Sequence, residues 1–257
     1  MTAWDRLSAE LDAWAAAGLT AEFWWRDDDA IDDTPALGRL LALRRSLNVP
    51  LALAVIPANA RPALAGVLRD EDGIDILQHG FAHANYRPAG EKKAELGADR
   101  ELWDIARDLA GGRGHMIELF GEDGWLDVMV PPWNRIDAAV ANLLPGLGFH
   151  GLTTFLARDS GEAVPGLTVV NTHMDVIDWP GTRAYAGDDA VIGAAVAHLS
   201  AKRTGDADLA EPTGLLTHHL AHDESCWAFV ERFGRETAAH AAVTWRGAGD
   251  LFARPPV

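Results

Sequence analysis

Apolar runs and helix-like segments alternate along nearly the whole chain. The apolar runs are short, and they cover residues 21–25, 50–57, 74–80, 126–134, 151–155, 167–171 and 213–219. Apolar residues recur at helical spacing in residues 34–47, 61–70, 91–109, 115–120, 137–144 and 188–199. Continuous apolar runs indicate strands buried on both faces, and regular alternation with helices is typical of α/β folds. We therefore expect one α/β domain over residues 1–257, with a mainly parallel sheet.

The amino-terminal segment is predicted to form an additional amphipathic helix before the first strand. Thr2 is a suitable N-cap, Gly18 follows the pattern, and one helical stripe carries Trp4, Leu7, Leu11 and Trp14. The segment lacks the basic start and unbroken apolar core of a signal peptide. No apolar run approaches the ~20 residues needed to span a bilayer. These features favour a cytoplasmic location.

The acidic composition of the chain argues against polyanionic binding partners. Of the 257 residues, 38 are Asp or Glu and 22 are Lys or Arg, so the formal net charge is −16. Nucleic acids and anionic membranes bind proteins through clustered Lys and Arg, so we expect neither as a partner. The sequence carries no signal that sets the oligomeric state.

Unusual polar residues occur at the carboxyl ends of four of the predicted strands. They are Asp27 to Asp29, His79, residues 131–134 and His218. In parallel α/β folds the carboxyl ends of the strands lie along one edge, where binding and catalytic sites are built. We therefore expect these residues to converge on one site.

The first of these strand ends points to a bound cation. In "FWWRDDDA", the carboxylates of Asp27, Asp28 and Asp29 would repel one another, and Asp is a poor strand former. In "QHGFAHAN", His79 and His83 are four residues apart, a spacing that allows both imidazoles to share a metal ion. Two imidazoles and one carboxylate leave coordination positions open, as in catalytic zinc sites. One divalent ion is the predicted cofactor, Zn²⁺ by default, with Ni²⁺, Co²⁺ and Mn²⁺ as alternatives.

Five segments occur in an order that resembles a known family. The carboxylate cluster, "HGFAH", "VPPWN", "DVIDW" and "LLTHH" are similar to the five motifs of the polysaccharide deacetylase domain, the fold of the family 4 carbohydrate esterases. The matches run from Asp27 to His218, and the first and third motifs are altered. The resemblance implies an irregular (β/α)7 barrel. It also implies a divalent metal and removal of acetyl groups from N-acetyl sugars.

The resemblance assigns roles to the aspartates and histidines. Aligned with the first motif, Asp28 is the general base and Asp29 is the metal ligand, together with His79 and His83. A shift of one residue would instead make Asp27 the base and Asp28 the ligand. Without that shift, Asp27 is expected to be a solvated carboxylate or one that supports the site from behind.

The third motif departs most clearly from the family pattern. The family places an arginine beside the base from the position that is Val130 here. Arg26 lies two residues before Asp28, hence on the same face of a regular strand, and is predicted to replace the missing cation. Arg135 is the alternative. The family's oxyanion donor is a backbone N–H that corresponds to Trp133.

The last two motifs supply the predicted acid. His218 follows "GLLT" as the fifth motif requires, with His219 and His222 as nearby rivals. We expect His219 to point the other way if the strand continues through it. The fourth motif contains Asp175 and Asp178, and Asp178 is the residue assigned to orient His218.

The predicted function is hydrolysis of a C–N amide bond by a metal-dependent deacetylase. Its expected substrate is an N-acetylated carbohydrate or a related small molecule. One alternative is an amidohydrolase of the same fold that acts on a non-sugar amide, because loops set the substrate. The other is a carbohydrate-binding relative without catalysis, which the substitution at Val130 favours.

Overall fold

A computed structural model describes residues 1–253 of the chain. The strands are β1 (Ala21–Ala30), β2 (Leu51–Val55), β3 (Ile74–His79), β4 (Val128–Val130), β5 (Gly151–Leu152), β6 (Glu162–Val164), β7 (Leu167–Val169), β8 (Met174–Asp175), β9 (Thr213–Thr217) and β10 (Val243–Trp245). The helices are α1 (Ala3–Ala16), α2 (Pro35–Leu47), α3 (Pro62–Leu68), α4 (Leu102–Phe120), α5 (Ala138–Ala141), α6 (Asp188–Thr204), α7 (Glu224–Ala238) and α8 (Ala248–Leu251). Within residues 1–253, none of these helices combines the length and apolarity needed to cross a membrane.

The ten strands form one curled sheet that is parallel except at one edge. The order is β6-β7-β5-β4-β3-β2-β1-β9-β8, and β10 pairs with the amino-terminal end of β1. Only β6 runs antiparallel to its neighbour among the strands in this part of the chain. The expected irregular (β/α) barrel type is confirmed. Strands β6, β8 and β10 are additions to the seven apolar runs.

The two faces of the sheet bury different side chains. In β2, Leu51, Leu53 and Val55 belong to the large core between the sheet and the helices. The alternate residues Ala52 and Ala54 belong to a smaller core on the inner face of the curl. Both faces of β2 are therefore buried, which explains why its sequence is a continuous apolar run.

The amino-terminal helix is confirmed and packs on α6. The Thr2 hydroxyl and the Asp5 carboxylate form a capping box at its start. Trp14 is 1% exposed, and its indole Nε1 donates to the Leu199 carbonyl at 3.2 Å. Trp4 donates to the Asp188 carboxylate at 2.6 Å. The apolar stripe read from the sequence is the face that is buried.

The helix predictions for residues 91–109 and 115–120 are wrong in their boundaries. A single helix, α4, runs through Gly111, Gly112 and Gly114, and residues 91–101 are not helical. Gly112 is tolerated because α4 approaches β3 closely at this point. A Cβ atom on Gly112 would lie 2.6 Å from the Gln78 side chain and 3.2 Å from Pro57. Contact with the sheet thus overrides the low helix propensity of glycine.

Candidate active site

A cavity of about 220 Å³ opens at the carboxyl ends of the central strands. Its walls contain most of the residues singled out from the sequence, and they are formed by Asp28, Asp29, His79, His83, Trp133, Asn134, Arg135, Asp175, Trp179 and His218. These residues lie at the carboxyl ends of β1, β3, β4, β8 and β9 or in the loops that follow those strands. The expected convergence of strand ends on one site is confirmed.

A bulge at the end of β1 brings two neighbouring aspartates into the cavity. The register between β1 and β2 shifts between Asp27 and Ala30, and Asp29 takes a left-handed conformation with φ of 74°. In a regular strand, Asp28 and Asp29 would point to opposite faces. The bulge re-aims Asp29, so both carboxylates line the same cavity.

Asp29, His79 and His83 form a cluster suited to a divalent metal. The Asp29 Oδ1 atom lies 3.2 Å from His79 Nε2 and 3.4 Å from His83 Nε2. It is buried and has no hydrogen-bond partner among residues 1–253. His79 Nδ1 lies 2.9 Å from the Val130 carbonyl, which can only accept, so Nδ1 carries the proton. In the neutral imidazole, the form that binds a metal, the Nε2 lone pair is then free and directed at the cluster.

The charges in this cluster are mutually stabilising. Burial alone would raise the pKa of Asp29, but the neighbouring imidazoles, His79 first, bring that pKa well below its usual range. Burial would lower the pKa of His79, but the charges of Asp28 and Asp29 raise it. The carboxylate of Asp29 is therefore ionised in this environment, which is the state that a metal ligand needs.

The predicted ion pair between Arg26 and Asp28 is confirmed. The guanidinium Nε and Nη2 atoms donate to the two Asp28 oxygens at 2.9 and 3.0 Å. Arg26 is completely buried, and its other N–H groups donate to Thr153 Oγ1, the Thr154 carbonyl and Asn134 Oδ1. All five N–H groups are thereby used. The bidentate contact holds the Asp28 carboxylate in one orientation.

Arg135, the alternative partner of Asp28, makes its hydrogen bond with another segment. Its side chain borders the cavity, and its Nη1 atom donates to the Lys93 carbonyl at 2.7 Å. It thus joins the loop after β4 to the segment before α4. Of the two arginines, Arg26 is the one that contacts the Asp28 carboxylate.

Asp27 is buried on the other side of the strand. Its Oδ1 atom lies 2.5 Å from His219 Nδ1, and its Oδ2 atom accepts from Thr217 Oγ1 at 2.6 Å and from the His219 backbone N–H at 3.0 Å. The expectation of a solvated carboxylate is wrong, because Asp27 is 0% exposed. This pair ties the end of β1 to the turn after β9. His219 points away from the cavity as expected, and Asp28 and Asp29 are the aspartates at the site.

The structure brings Asp175, not Asp178, to the wall that contains His218. Trp179 lies against His218 with ring centroids 4.8 Å apart and donates to Asp175 at 2.8 Å. Burial raises the pKa of Asp175, and the charge of His218 opposes that rise. Asp178 instead accepts from the Gly181 and Thr182 backbone N–H groups at 3.1 Å each. The assignment of Asp178 is corrected for this reason, because its carboxylate caps a turn outside the cavity.

Trp133 lies at the exit of β4 in a strained conformation. Trp133 and Asn134 both have positive φ values, 57° and 56°. Together with Asp29 and His83, they are four of the seven non-glycine residues with positive φ in the described part of the chain. Such strain persists where the surrounding structure holds the backbone in place, and it concentrates at functional sites.

Solved structures with a similar shape include family 4 carbohydrate esterases and a chitin deacetylase. A family 4 carbohydrate esterase from Streptomyces lividans in complex with acetate is 16% identical, with a TM-score of 0.57 and coverage of 88% of this chain and 91% of that one. The chitin deacetylase from Colletotrichum lindemuthianum is also 16% identical, with a TM-score of 0.56 and coverage of 93% and 90%. This chain has the fold of the family 4 carbohydrate esterases.

A third structure with the esterase fold contains a metal ion. It is a family 4 acetyl xylan esterase from Clostridium thermocellum in complex with a cobalt ion, 12% identical, with a TM-score of 0.53 and coverage of 90% of both chains. By contrast, no protein-family model and no curated protein matches this sequence. At these identities the comparison establishes the fold, and the chemistry has to be argued from this chain's own residues.

A second cluster of potential ligands within the esterase fold is less suited to a metal. His173, His198 and Glu211 are buried together. The Gly214 backbone N–H donates to His173 Nδ1 at 3.0 Å, so the neutral imidazole carries its proton on Nε2, the atom that faces Glu211. That nitrogen has no free lone pair for a metal. The two rings are also stacked, with centroids 3.4 Å apart, so their ring planes cannot converge on one ion.

Three residues of the site had no clear signal in the sequence. Asn134 belongs to the quoted "VPPWN" segment, but its contact with Arg26 depends on the turn after β4. Trp179 follows the fourth motif and forms a wall next to His218. Glu95 lies in a segment predicted to be helical and accepts hydrogen bonds from the loop that carries the histidines. Only the first two could have been found, as neighbours of recognised motifs.

Proposed function

We propose that this protein is a metal-dependent hydrolase that removes an acetyl group from an N-acetylated sugar or a sugar-containing small molecule. The observation that carries the proposal is the placement of two separate charged groups in one cavity. Asp29 with His79 and His83 is suited to hold a divalent ion, and Asp28 is held beside it by Arg26. Metal-dependent hydrolases need a metal site and, beside it, an oriented carboxylate that can act as the base, and this cavity contains residues suited to both.

The Asp29, His79 and His83 side chains would bind the ion through Oδ1 and the two Nε2 atoms. Zn²⁺ is the first choice for a set of two imidazoles and one carboxylate, with Ni²⁺, Co²⁺ or Mn²⁺ as alternatives. Such an ion, when bound, acidifies water toward a pKa of ~7 and polarises a carbonyl oxygen.

Asp28 accepts the proton from the attacking water as its oxygen bonds to the acetyl carbon. Arg26 keeps the carboxylate in the orientation that this transfer needs. The Trp133 backbone N–H is the group assigned to the developing oxyanion. The imidazolium of His218 donates its proton to the nitrogen as the C–N bond breaks, so that acetate and a free amine are released.

Asp175 is the carboxylate that lies in the same cavity wall as His218. An amide nitrogen is a poor leaving group unless it is protonated, so the acid is needed more for an amide than for an ester. The ring of Trp179 fixes one side of His218 and is itself anchored on Asp175. Acid and base therefore lie at the ends of two neighbouring strands, with Asp28 in β1 and His218 directly after β9.

The position of Arg26 favours an enzyme over a binding relative without catalysis. The non-catalytic alternative rested on the loss of an arginine at Val130. Arg26 supplies a guanidinium to the Asp28 carboxylate from β1 instead of β4, where Val130 lies, so the loss at Val130 no longer argues against catalysis. The other alternative, an amidohydrolase that acts on a non-sugar amide, would use the same residues. Only the identity of the substrate distinguishes it from a sugar deacetylase.

Neighbouring aspartates provide the test of this proposal. Asp29→Asn should lose the bound metal, whereas Asp28→Asn should keep it and lose turnover, because only Asp29 contacts the two imidazoles. Protein purified without chelator is analysed for metals, and acetate release is followed on N-acetylglucosamine oligomers and on simple non-sugar acetamides. About one equivalent of metal per chain is expected in wild type and in Asp28→Asn.

Two results would contradict the proposal. If His79→Ala and His83→Ala both retain stoichiometric metal, the cluster is not the site. If the metal-loaded wild type releases no acetate from any of these amides, it is not a deacetylase of this type.

A further inference from the structure

The loop that carries the two histidines is held by a carboxylate from a distant segment. Glu95 accepts hydrogen bonds from three backbone N–H groups of this loop, those of Phe81 at 3.0 Å, Ala82 at 2.8 Å and Ala84 at 3.3 Å. Two of these amides lie between His79 and His83, and that of Ala84 directly follows His83. One side chain thus accepts from three backbone donors of the loop.

The carboxylate of Glu95 is deeply buried without a cationic partner. Its exposed fraction is 1%, and no Lys, Arg or His nitrogen in residues 1–253 lies within 4 Å of it. A buried carboxylate is costly unless its charge is met by hydrogen bonds. Here the loop amides meet it. A negative charge at this place also favours a cation in the adjacent cluster.

Glu95 can act as an anchor because its own segment is fixed at both ends. The Ala94 N–H donates to Asn85 Oδ1 at 3.1 Å, and the Tyr86 N–H donates to the Ala94 carbonyl at 3.1 Å. On the other side, the Asp137 N–H donates to the Leu96 carbonyl at 2.9 Å. The carboxylate therefore links the histidine loop to the chain that follows β4.

Gly80 leaves the space that Glu95 occupies. Its φ is +55°, and a Cβ atom there would lie 2.2 Å from Glu95 Oε2 and 2.6 Å from the Pro132 ring. Any side chain at this position would displace the carboxylate from the loop. The glycine and the glutamate are thus complementary parts of one arrangement.

We propose that Glu95 is a positioning residue for the metal cluster, which holds residues 80–84 so that His83 faces Asp29. The proposal rests on the proposed function, because it assigns to that cluster the binding of a divalent ion. Glu95 does not contact the ion or the substrate. It acts by fixing the backbone from which His83 projects.

The first test is the affinity for Zn²⁺ or Co²⁺, measured by calorimetry on the chelator-treated full chain. Glu95→Gln keeps the shape but turns an NH₂ group toward the loop N–H groups. Glu95→Asp keeps the charge but withdraws it by one methylene. Both should weaken metal binding by about 10- to 100-fold, the range typical of partners that orient metal ligands.

Asp75→Asn is the matched control. Asp75 lies at the amino end of the same strand, β3, and its carboxylate accepts from the Gly249 backbone N–H at 2.9 Å. The same change of carboxylate to amide, made away from the histidine loop, should leave metal affinity unchanged. Unchanged affinity in both Glu95 variants, or an equal loss in Asp75→Asn, would overturn the proposal.

The second test needs neither metal nor turnover. Amide hydrogen exchange of Phe81, Ala82 and Ala84 in the metal-free protein should accelerate by about 10- to 100-fold in Glu95→Gln, because a charged hydrogen bond contributes ~1.5–3 kcal/mol. If the wild type binds no divalent ion, the proposed function fails and exchange alone decides the role of Glu95. Exchange at the wild-type rate in both Glu95 variants would refute that role.

Discussion

At the scale of single residues, the placement of Arg26 is the most informative feature. β1 pairs regularly with β9 as far as Asp27, so side chains still alternate between faces at this point. Arg26 and Asp28 therefore share the inner face, and the bulge begins only afterwards. The pair depends on a strand that stays regular for two residues after its aromatic core.

We expect Arg26→Lys to fold, to keep the metal and to lose about 10²-fold in kcat. Lysine preserves the charge but cannot make the bidentate contact or fill all five donor positions, so Asp28 loses its fixed orientation. Acetate release and metal content are the two measurements. Arg113→Lys is the control, because Arg113 donates through two nitrogens to Asp127 outside the cavity. An Arg26→Lys enzyme with wild-type kcat would show that the orientation of Asp28 is unimportant.

A second residue-scale prediction separates Asp175 from Asp178. Asp175→Asn should lower kcat by at least about 10-fold, since general acid catalysis contributes 10²–10⁴-fold and Asp175 anchors the Trp179 ring that lies against His218. Asp178→Asn should leave kcat within about 2-fold of wild type and act mainly on stability, through the turn at residues 178–182. Acetate release and urea unfolding measure the two effects. The reverse pattern in the two kcat values would restore Asp178 as the orienting residue.

At the scale of elements, tertiary contacts decide where helices begin and end. Residues 91–101 have helical periodicity, yet the backbone there is used to hold Glu95 against the histidine loop and Leu96 against Asp137. Conversely, α4 continues through three glycines, one of which, Gly112, packs on the Gln78 side chain. Propensity is a weak prior compared with such contacts.

The docking of α1 on α6 gives the element-scale prediction. Trp14→Ala should lower the free energy of unfolding by ~3–5 kcal/mol, because it removes a large buried side chain and a hydrogen bond to Leu199. Trp103→Ala is the matched control, since Trp103 is 77% exposed on α4 and should cost less than about 0.5 kcal/mol. Urea unfolding followed by circular dichroism measures both. Equal effects of the two substitutions would mean that α1 is not a stabilising part of the fold.

At the scale of the whole molecule, buried histidines link stability to pH. Burial lowers the pKa of His173 to about 4 from its usual 6.5, and burial also lowers the pKa of His198. Glu211 and Lys202 face these rings, and Glu211 opposes the shift without cancelling it. As pH falls from 6.5 toward 4, the unfolded chain takes up protons that the folded chain does not. The stability is therefore complete above pH 6.5 and is lost across this window.

His173→Asn should make this loss shallower. For His173 alone, the decrease in unfolding free energy between pH 7 and pH 5 is about 2 kcal/mol, and Asn can still accept from the Gly214 N–H without titrating. Urea unfolding at both pH values gives the difference. The surface variant His240→Asn should retain the wild-type dependence. If His173→Asn loses as much stability as wild type between pH 7 and pH 5, protonation of His173 is not the cause of the loss.

The order of the elements and the location of the site could be predicted from the sequence. Seven apolar runs became strands, because burial on both faces imposes a continuous apolar pattern whatever the neighbours are. The site followed from the polar residues at the strand ends, since parallel strands bring those ends to one edge. The ion pair of Arg26 and Asp28 was also predictable, because it needs only the alternation of side chains within one strand.

Only the tertiary structure decided the contacts that depend on irregular backbone. The bulge that turns Asp29 beside Asp28 interrupts the regular pairing of β1. Asp175 is the last residue of β8, whereas Asp178 and the loop amides bound by Glu95 lie outside helices and strands. A regular element repeats one geometry, so spacing along the chain predicts which residues meet. In a loop, the direction of each side chain depends on contacts with distant segments, and no local pattern encodes those contacts.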